Sequence, residues 1–190
     1  MVLPRRLLLL APIGLVACGD DGPPRTFEPL RYDYLAPLRL NVGTVEVAPP
    51  PPPGPLDGSS PLPPGPALQR LAEDRLSAGG SSGRASVRIE EARITRMGGG
   101  LDGSFAVRVD VFSADNTRSG FAEARVARSV SSPGRNLRAA LYDMTKQMLD
   151  DMNVELEFQI RRSLRDYLQA TSTGPEPAAV QQQDLGAPRK

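Results

Sequence analysis

The stretch "NLRAALYDMTKQMLDDMNVELEFQIRRSLRDYL", Asn136 to Leu168, constrains the fold more than any other. Leu137, Leu141, Met144 and Met148 make an apolar stripe at helical spacing. Beyond Met148 the apolar residues keep stepping by four, through Met152, Leu156, Ile160, Leu164 and Leu168. Four residues overshoot a turn by about 40°, so the stripe winds around the helix. One straight helix cannot then press both halves onto the same sheet. Val154, Leu156, Phe158 and Ile160 also alternate with period two, as a strand would, and a helix broken near Asn153 is a third solution. Acidic Asp143, Asp150 and Asp151 precede basic Arg161, Arg162 and Arg165, a polarity that suits one continuous helix dipole. The segment is therefore read as helix throughout. On that reading Leu156, Ile160, Leu164 and Tyr167 turn away from the sheet. Beside Arg161, Arg162 and Arg165 they form the expected partner-binding surface, because exposed apolar groups next to arginines mark interfaces. A kink near Asn153 would instead fold them back onto the core.

Upstream, the pattern changes to period two. "LRLNVGTVEV" (Leu38 to Val47) alternates, with a one-residue phase change at Gly43-Thr44 that reads as a β-bulge. "PALQRLAEDRL" places Leu68, Leu71, Ala72 and Leu76 on one helical face, with Pro66 at its start and Gly79-Gly80 at its end. "ASVRIEEARI" is a strand with a phase change at Glu90-Glu91. "SFAVRVDVF" is a cleaner one, and "FAEARVARSV" a weaker fourth; turns at "GGGLDG" and "SADNTRSG" join them. The expected fold is α+β: a small antiparallel or mixed sheet of about four strands, order β-α-β-β-β-α, packed against the long C-terminal helix. "APPPPPGPLDGSSPLPPGP", residues 48–66, cannot pack a core by composition. It reads as a loop that folding does not need, or else as a proline ligand for a partner's groove.

The N-terminus carries an address. Arg5 and Arg6 precede an apolar run, Leu7 to Val16, of roughly ten residues, as in a secretory signal. A bilayer span needs about twenty. Leu15-Val16-Ala17-Cys18 resembles the lipobox of bacterial lipoproteins, with cleavage between Ala17 and Cys18 and a diacylglycerol on the Cys18 thiol. Cys18 is the single cysteine, so no disulfide is expected. Residues 1–17 are then the signal peptide and 18–30 a flexible tether. One α+β domain spans 31–170, and 171–190 form a polar tail expected to be disordered. Gly19, not aspartate, follows the cysteine, which favours the outer over the inner membrane by the enteric sorting rule.

Catalytic chemistry finds little support. The chain has no histidine, which removes the usual serine and cysteine triads and histidine-ligated metals. No Gly-x-x-x-x-Gly-Lys motif is present. Glu90-Glu91 reads as a bulge, Asp150, Asp151 and Glu155 as a solvated helix face, and Asp115-Asn116 as a turn. Met144, Met148 and Met152 read as core rather than as a metal-sulfur ladder. No cofactor or metal is expected. With 23 basic residues against 22 acidic ones, and Arg5 and Arg6 lost on cleavage, the mature chain is near-neutral. That leaves no electrostatic footprint for nucleic acid.

"YDYLAPLRLNV", "NTRSGFAEARVARS", "LYDMTKQML" and "RRSLRDYL" resemble blocks in a group of uncharacterised alphaproteobacterial lipoproteins. The element order is similar, more distantly, to small auxiliary lipoproteins of envelope transport and lipopolysaccharide assembly. The resemblance implies lipoprotein character and no activity. The expectation is a non-enzymatic, lipid-anchored accessory subunit docking on a cell-envelope transport or assembly complex, and facing the periplasm. The alternative is a periplasmic binding module that holds a lipid or other apolar ligand between helix and sheet. A hydrolase working with carboxylates alone is a third.

Overall fold

The computed structural model describes residues 25–169; Ala17, Cys18, the signal segment 1–17 and the tail 171–190 lie outside them. Three long strands carry the fold: β4 (Arg84–Met97), β5 (Gly100–Phe112) and β6 (Arg118–Val130). Each is joined to the next by a short turn and pairs with it antiparallel. Between β4 and β5 the turn is Gly98-Gly99, with Gly98 at a φ of 58° that favours glycine. Between β5 and β6, Asp115 accepts the Thr117 backbone N–H, so Asp115-Asn116 is a turn. β4 carries its register shift between Ile89 and Glu91, where the phase change lies. The shift keeps Val87 and Ile89, then Ala92 and Ile94, on one buried face.

The first strand of the sequence reading is two strands. β1 (Leu38–Leu40) and β2 (Thr44–Val47) belong to different sheets, so the Gly43-Thr44 phase change is a crossover and not a bulge. β2 adds parallel to β4, giving a four-stranded sheet in the order β2-β4-β5-β6. Helix α1 (Pro64–Arg75) runs into β3 (Leu76–Ala78), which pairs parallel with β1 in a separate two-stranded sheet. Leu76 therefore leaves the helix as its C-cap. Period and composition do not announce a three-residue strand; only its partner β1 makes it one.

Helix α2 (Leu137–Ser163) is continuous, opened by the Asn136 side chain accepting the Ala139 N–H at 3.0 Å. α1 and α2 cover the same face of the sheet, α1 over β4 and α2 mainly over β6. Phe105, Leu68, Leu71, Met144, Met148, Leu149 and Met152 are all fully buried in this layer. They pack between helices and sheet, the layer in which the alternative reading places an apolar ligand. Gly103 in β5 makes the close approach possible. A Cβ there would lie 2.5 Å from Met148 Sδ and 2.8 Å from Met144 Cε.

Two segments read as loose are ordered against this core. In the expected tether, Arg25 pairs with Asp143, Phe27 packs on Tyr142 with ring centroids 5.1 Å apart, and Glu28 C=O accepts the Tyr142 hydroxyl at 2.9 Å. The proline loop ends at Pro64 and Gly65, both buried in the first turn of α1, and holds a one-turn 3-10 helix at Asp57–Ser59. Prolines at the first helical turn cost nothing, because those N–H groups have no helical partner.

Candidate functional site

The expected partner surface does not form as drawn. Leu156 is 1% exposed, and Ile160 and Leu164 are fully buried. The helix runs unbroken through Asn153 as it buries them. The stripe's drift is matched by a surface that also turns: strands carry a right-handed twist, and four-step rows on a helix wind in the same sense. The neighbours change along α2 as well. Buried Arg75, at the end of α1, donates from Nε to Asn153 Oδ1 at 2.7 Å and from Nη2 to Glu157 Oε2 at 2.6 Å. Its third group reaches the Ala36 carbonyl. The far end of the stripe closes on β6, where a Cβ on Gly120 would lie 2.9 Å from Leu164 and 3.4 Å from Tyr167. Tyr167 is half-buried there, its hydroxyl 3.4 Å from the Ser119 carbonyl oxygen.

Burying that stripe leaves the opposite face of α2 outward, and its apolar members are Val154 and Phe158, 67% and 53% exposed. At 100° per residue Arg161 and Arg162 fall on the same side, while Arg165 follows the helix end at Ser163 in a short 3-10 turn. Arg161 is tied to Glu157 at 2.9 Å, Arg165 lies 3.7 Å from Asp166, and all three guanidinium groups are exposed. The structure thus keeps Arg161 and Arg162 of the expected surface on this face and exchanges its apolar partners. Phe158 and Val154 replace Leu156, Ile160, Leu164 and Tyr167. A helical wheel contains this signal, since residues 154 and 158 cannot share a face with 156 and 160 once the segment is one helix.

A second feature went unrecognised in the sequence: the sheet face that none of the described helices covers. Buried Asp110 lies at its centre, 3.0 Å from Arg88, 3.1 Å from Arg108 and 3.6 Å from Arg118. Burial pushes its carboxyl up, but the hydrogen bonds and charge of Arg108 and then Arg88 outweigh this and hold it below the ordinary value of 3.8. Glu123 extends the ladder to Arg125, which also reaches Glu90. Phe121 is exposed and lies under two guanidinium groups, those of Arg108 at 4.3 Å and Arg118 at 5.4 Å. Alternation alone placed these residues opposite the core row, but only pairing brings β4, β5 and β6 charges into one ladder.

The acidic candidates are engaged in ordinary contacts. Asp150 bonds Lys146 and the Tyr32 hydroxyl, whose pKa is raised by burial and then by that carboxylate. Asp151 pairs with Arg128, and Glu155 accepts from Gln159. Among the described residues no group of three or more Asp, Glu, Cys or His could hold a metal ion. None of their helices is long and apolar enough to cross a membrane.

These features define an α+β domain whose sheet is covered by two helices on one face and by a charge ladder on the other. No protein-family model matches the sequence, and no curated protein matches it. Among solved structures, Lipoprotein GNA1162 from Neisseria meningitidis is similar at 7% identity with a TM-score of 0.30. That match covers 57% of this chain and 99% of the other. So weak a likeness carries nothing about activity, and the resemblance to alphaproteobacterial lipoproteins rests on the four quoted blocks.

Proposed function

We propose that this chain is a non-enzymatic, lipid-anchored accessory subunit of a cell-envelope transport or assembly complex. Acyl chains on Cys18 hold it at the membrane, the outer membrane by preference, with the domain facing the periplasm. Each buried CH₂ contributes about 0.8 kcal/mol, so two or more chains make a durable anchor. The observation that carries the docking role is the outward Val154–Phe158 pair beside Arg161 and Arg162, on a helix whose other face is fully packed, with exposed Arg165 just past the helix end. Aromatic and arginine side chains together are the composition of binding hot spots.

A photo-crosslinking residue at position 158, in cells, followed by mass spectrometry, tests the docking face. The expected result is one envelope protein captured from position 158 and not from exposed Ser131, in the link that joins β6 to the start of α2. Equal capture from both would remove the docking face. The anchor is tested separately by fatty-acid labelling, which should be lost in Cys18→Ser; labelling that persists would defeat it. Membrane fractionation decides between outer and inner membrane.

A further inference from the structure

The four-stranded sheet ends on two unlike edges. β2 is four residues long and runs into residues 49–53, all proline. Short strands and residues without an N–H close a sheet edge to further pairing. β6 has neither device. It is 13 residues long, it contains no proline or lysine, and its bulge, at Ser119, precedes residues 120–128. In an antiparallel ladder every second residue turns its N–H and C=O away from the partner strand. No described backbone group outside β5 bonds to residues 120–128. Such an edge is a template for one more strand.

A second copy of this chain does not fit that edge. Paired antiparallel, two β6 strands would carry α2 and its mate on the same face, one above each strand. Neighbouring strands lie about 4.8 Å apart, whereas packed helices need about 8–10 Å between their axes. A lone extended segment meets no such obstacle. The edge also states what the segment carries. Phe121, Glu123 and Arg125 share the outward row, while Ala122 and Ala124 are buried beneath α2. Opposite charges directly across an antiparallel pair stabilise it, and like charges weaken it. The segment therefore presents an acidic residue to Arg125, a basic one to Glu123 two positions on, and an apolar one to Phe121 two further. Its alternate residues, turned toward α2, are small or β-branched. Asp151 reaches Arg128 at 2.6 Å on the flank of α2 away from Arg75, and Phe158 follows seven residues later on the same row. The docking residue thus stands on the flank above this edge.

We infer that the free edge of β6 takes up an extended segment of the partner as a fifth, antiparallel strand, with the pattern acidic-x-basic-x-apolar. The inference rests on the docking reading for the existence of a partner and adds the segment by which that partner binds.

The probe is the capped octapeptide Thr-Val-Glu-Ala-Lys-Ala-Val-Thr, titrated into the full-length ¹⁵N-labelled Cys18→Ser chain. The expected result is saturable amide shifts confined to β6 and its neighbours, with hydrogen exchange slowed at alternate residues of 120–128. The same peptide with Glu and Lys exchanged should bind at least about threefold more weakly, and one with every amide N-methylated should not bind. Arg125, whose side chain is exposed, can be changed without touching the core, and Arg125→Glu should erase the preference between the two charged peptides. If that variant loses its dispersed spectrum, the three peptides on the Cys18→Ser chain still decide. Absence of saturable shifts at β6, equal binding of the charge-exchanged peptide, or binding of the N-methylated one would overturn the assignment. Capture from position 158 in cells without peptide binding at β6 would overturn it while leaving the docking face in place. Peptide binding at β6 without capture would support the edge as a strand-binding site and remove the docking face instead.

Discussion

Leu156 and Phe158 are two residues apart on α2 and differ almost wholly in exposure, 1% against 53%. Truncating each to alanine separates the packed face from the docking face. Leu156→Ala removes buried methyl groups and leaves a cavity in a layer already filled by Met152 and Ile160, at a cost of about 2–5 kcal/mol. Phe158→Ala removes a ring that is half in water and gains helix propensity, so its effect stays within about 0.5 kcal/mol. At about 4 °C per kcal/mol for a domain of this size, the melting midpoint of Leu156→Ala falls by about 8–20 °C. That of Phe158→Ala moves by about 2 °C or less. Urea unfolding followed by far-ultraviolet circular dichroism measures both, and an unchanged m-value shows that the unfolding transition is the same. Two results would refute the reasoning. One is Leu156→Ala within 0.5 kcal/mol of wild type, as in the reading that faces Leu156 to a partner; the other is Phe158→Ala costing about 2 kcal/mol or more. With the crosslinking residue moved to position 154, the assay should show the reverse order, with the partner lost from Phe158→Ala and kept by folded Leu156→Ala.

Three further outcomes follow from the packing and the charges. Gly103→Ala drives a Cβ against Met148 and Met144 and should cost about 1–3 kcal/mol. Combined with Met148→Ala it should cost less than the sum of the two, and additivity within about 0.3 kcal/mol would show that Met148 is not the obstacle. Asn136→Ala should remove about 1 kcal/mol by uncapping α2 while Asn136→Asp keeps most of it, measured by the same unfolding curves. Asp110 has a folded pKa below its unfolded value, so its contribution is complete above about pH 4 and is lost as pH falls through the folded pKa. Asp110→Asn should therefore flatten the acid limb of the stability–pH curve, and an identical slope below pH 4 would exclude Asp110 as its source.

Local pattern was enough for the strands β4, β5 and β6, their two turns, the bulge near Glu90 and the helical state of residues 137–163. Each is decided by side chains close in sequence: period two, glycine at a turn, or charges ordered along a helix dipole. It was enough, too, for the alternation that sends Arg108 and Asp110 away from Val107 and Val109. Residues distant in sequence decided the rest. β1 and β3 exist because Leu38–Leu40 and Leu76–Ala78 meet, and neither is long enough to declare itself. Leu156, Ile160 and Leu164 are buried because a twisted sheet, α1 and β6 turn with the stripe, which a flat row could not do. The proline loop lacks the apolar periodicity of a core segment, yet it shapes a cavity because β4 and the start of α1 stand behind it. Periodicity reports which side of an element is apolar. What that side meets depends on curvature and on neighbours supplied by the whole chain.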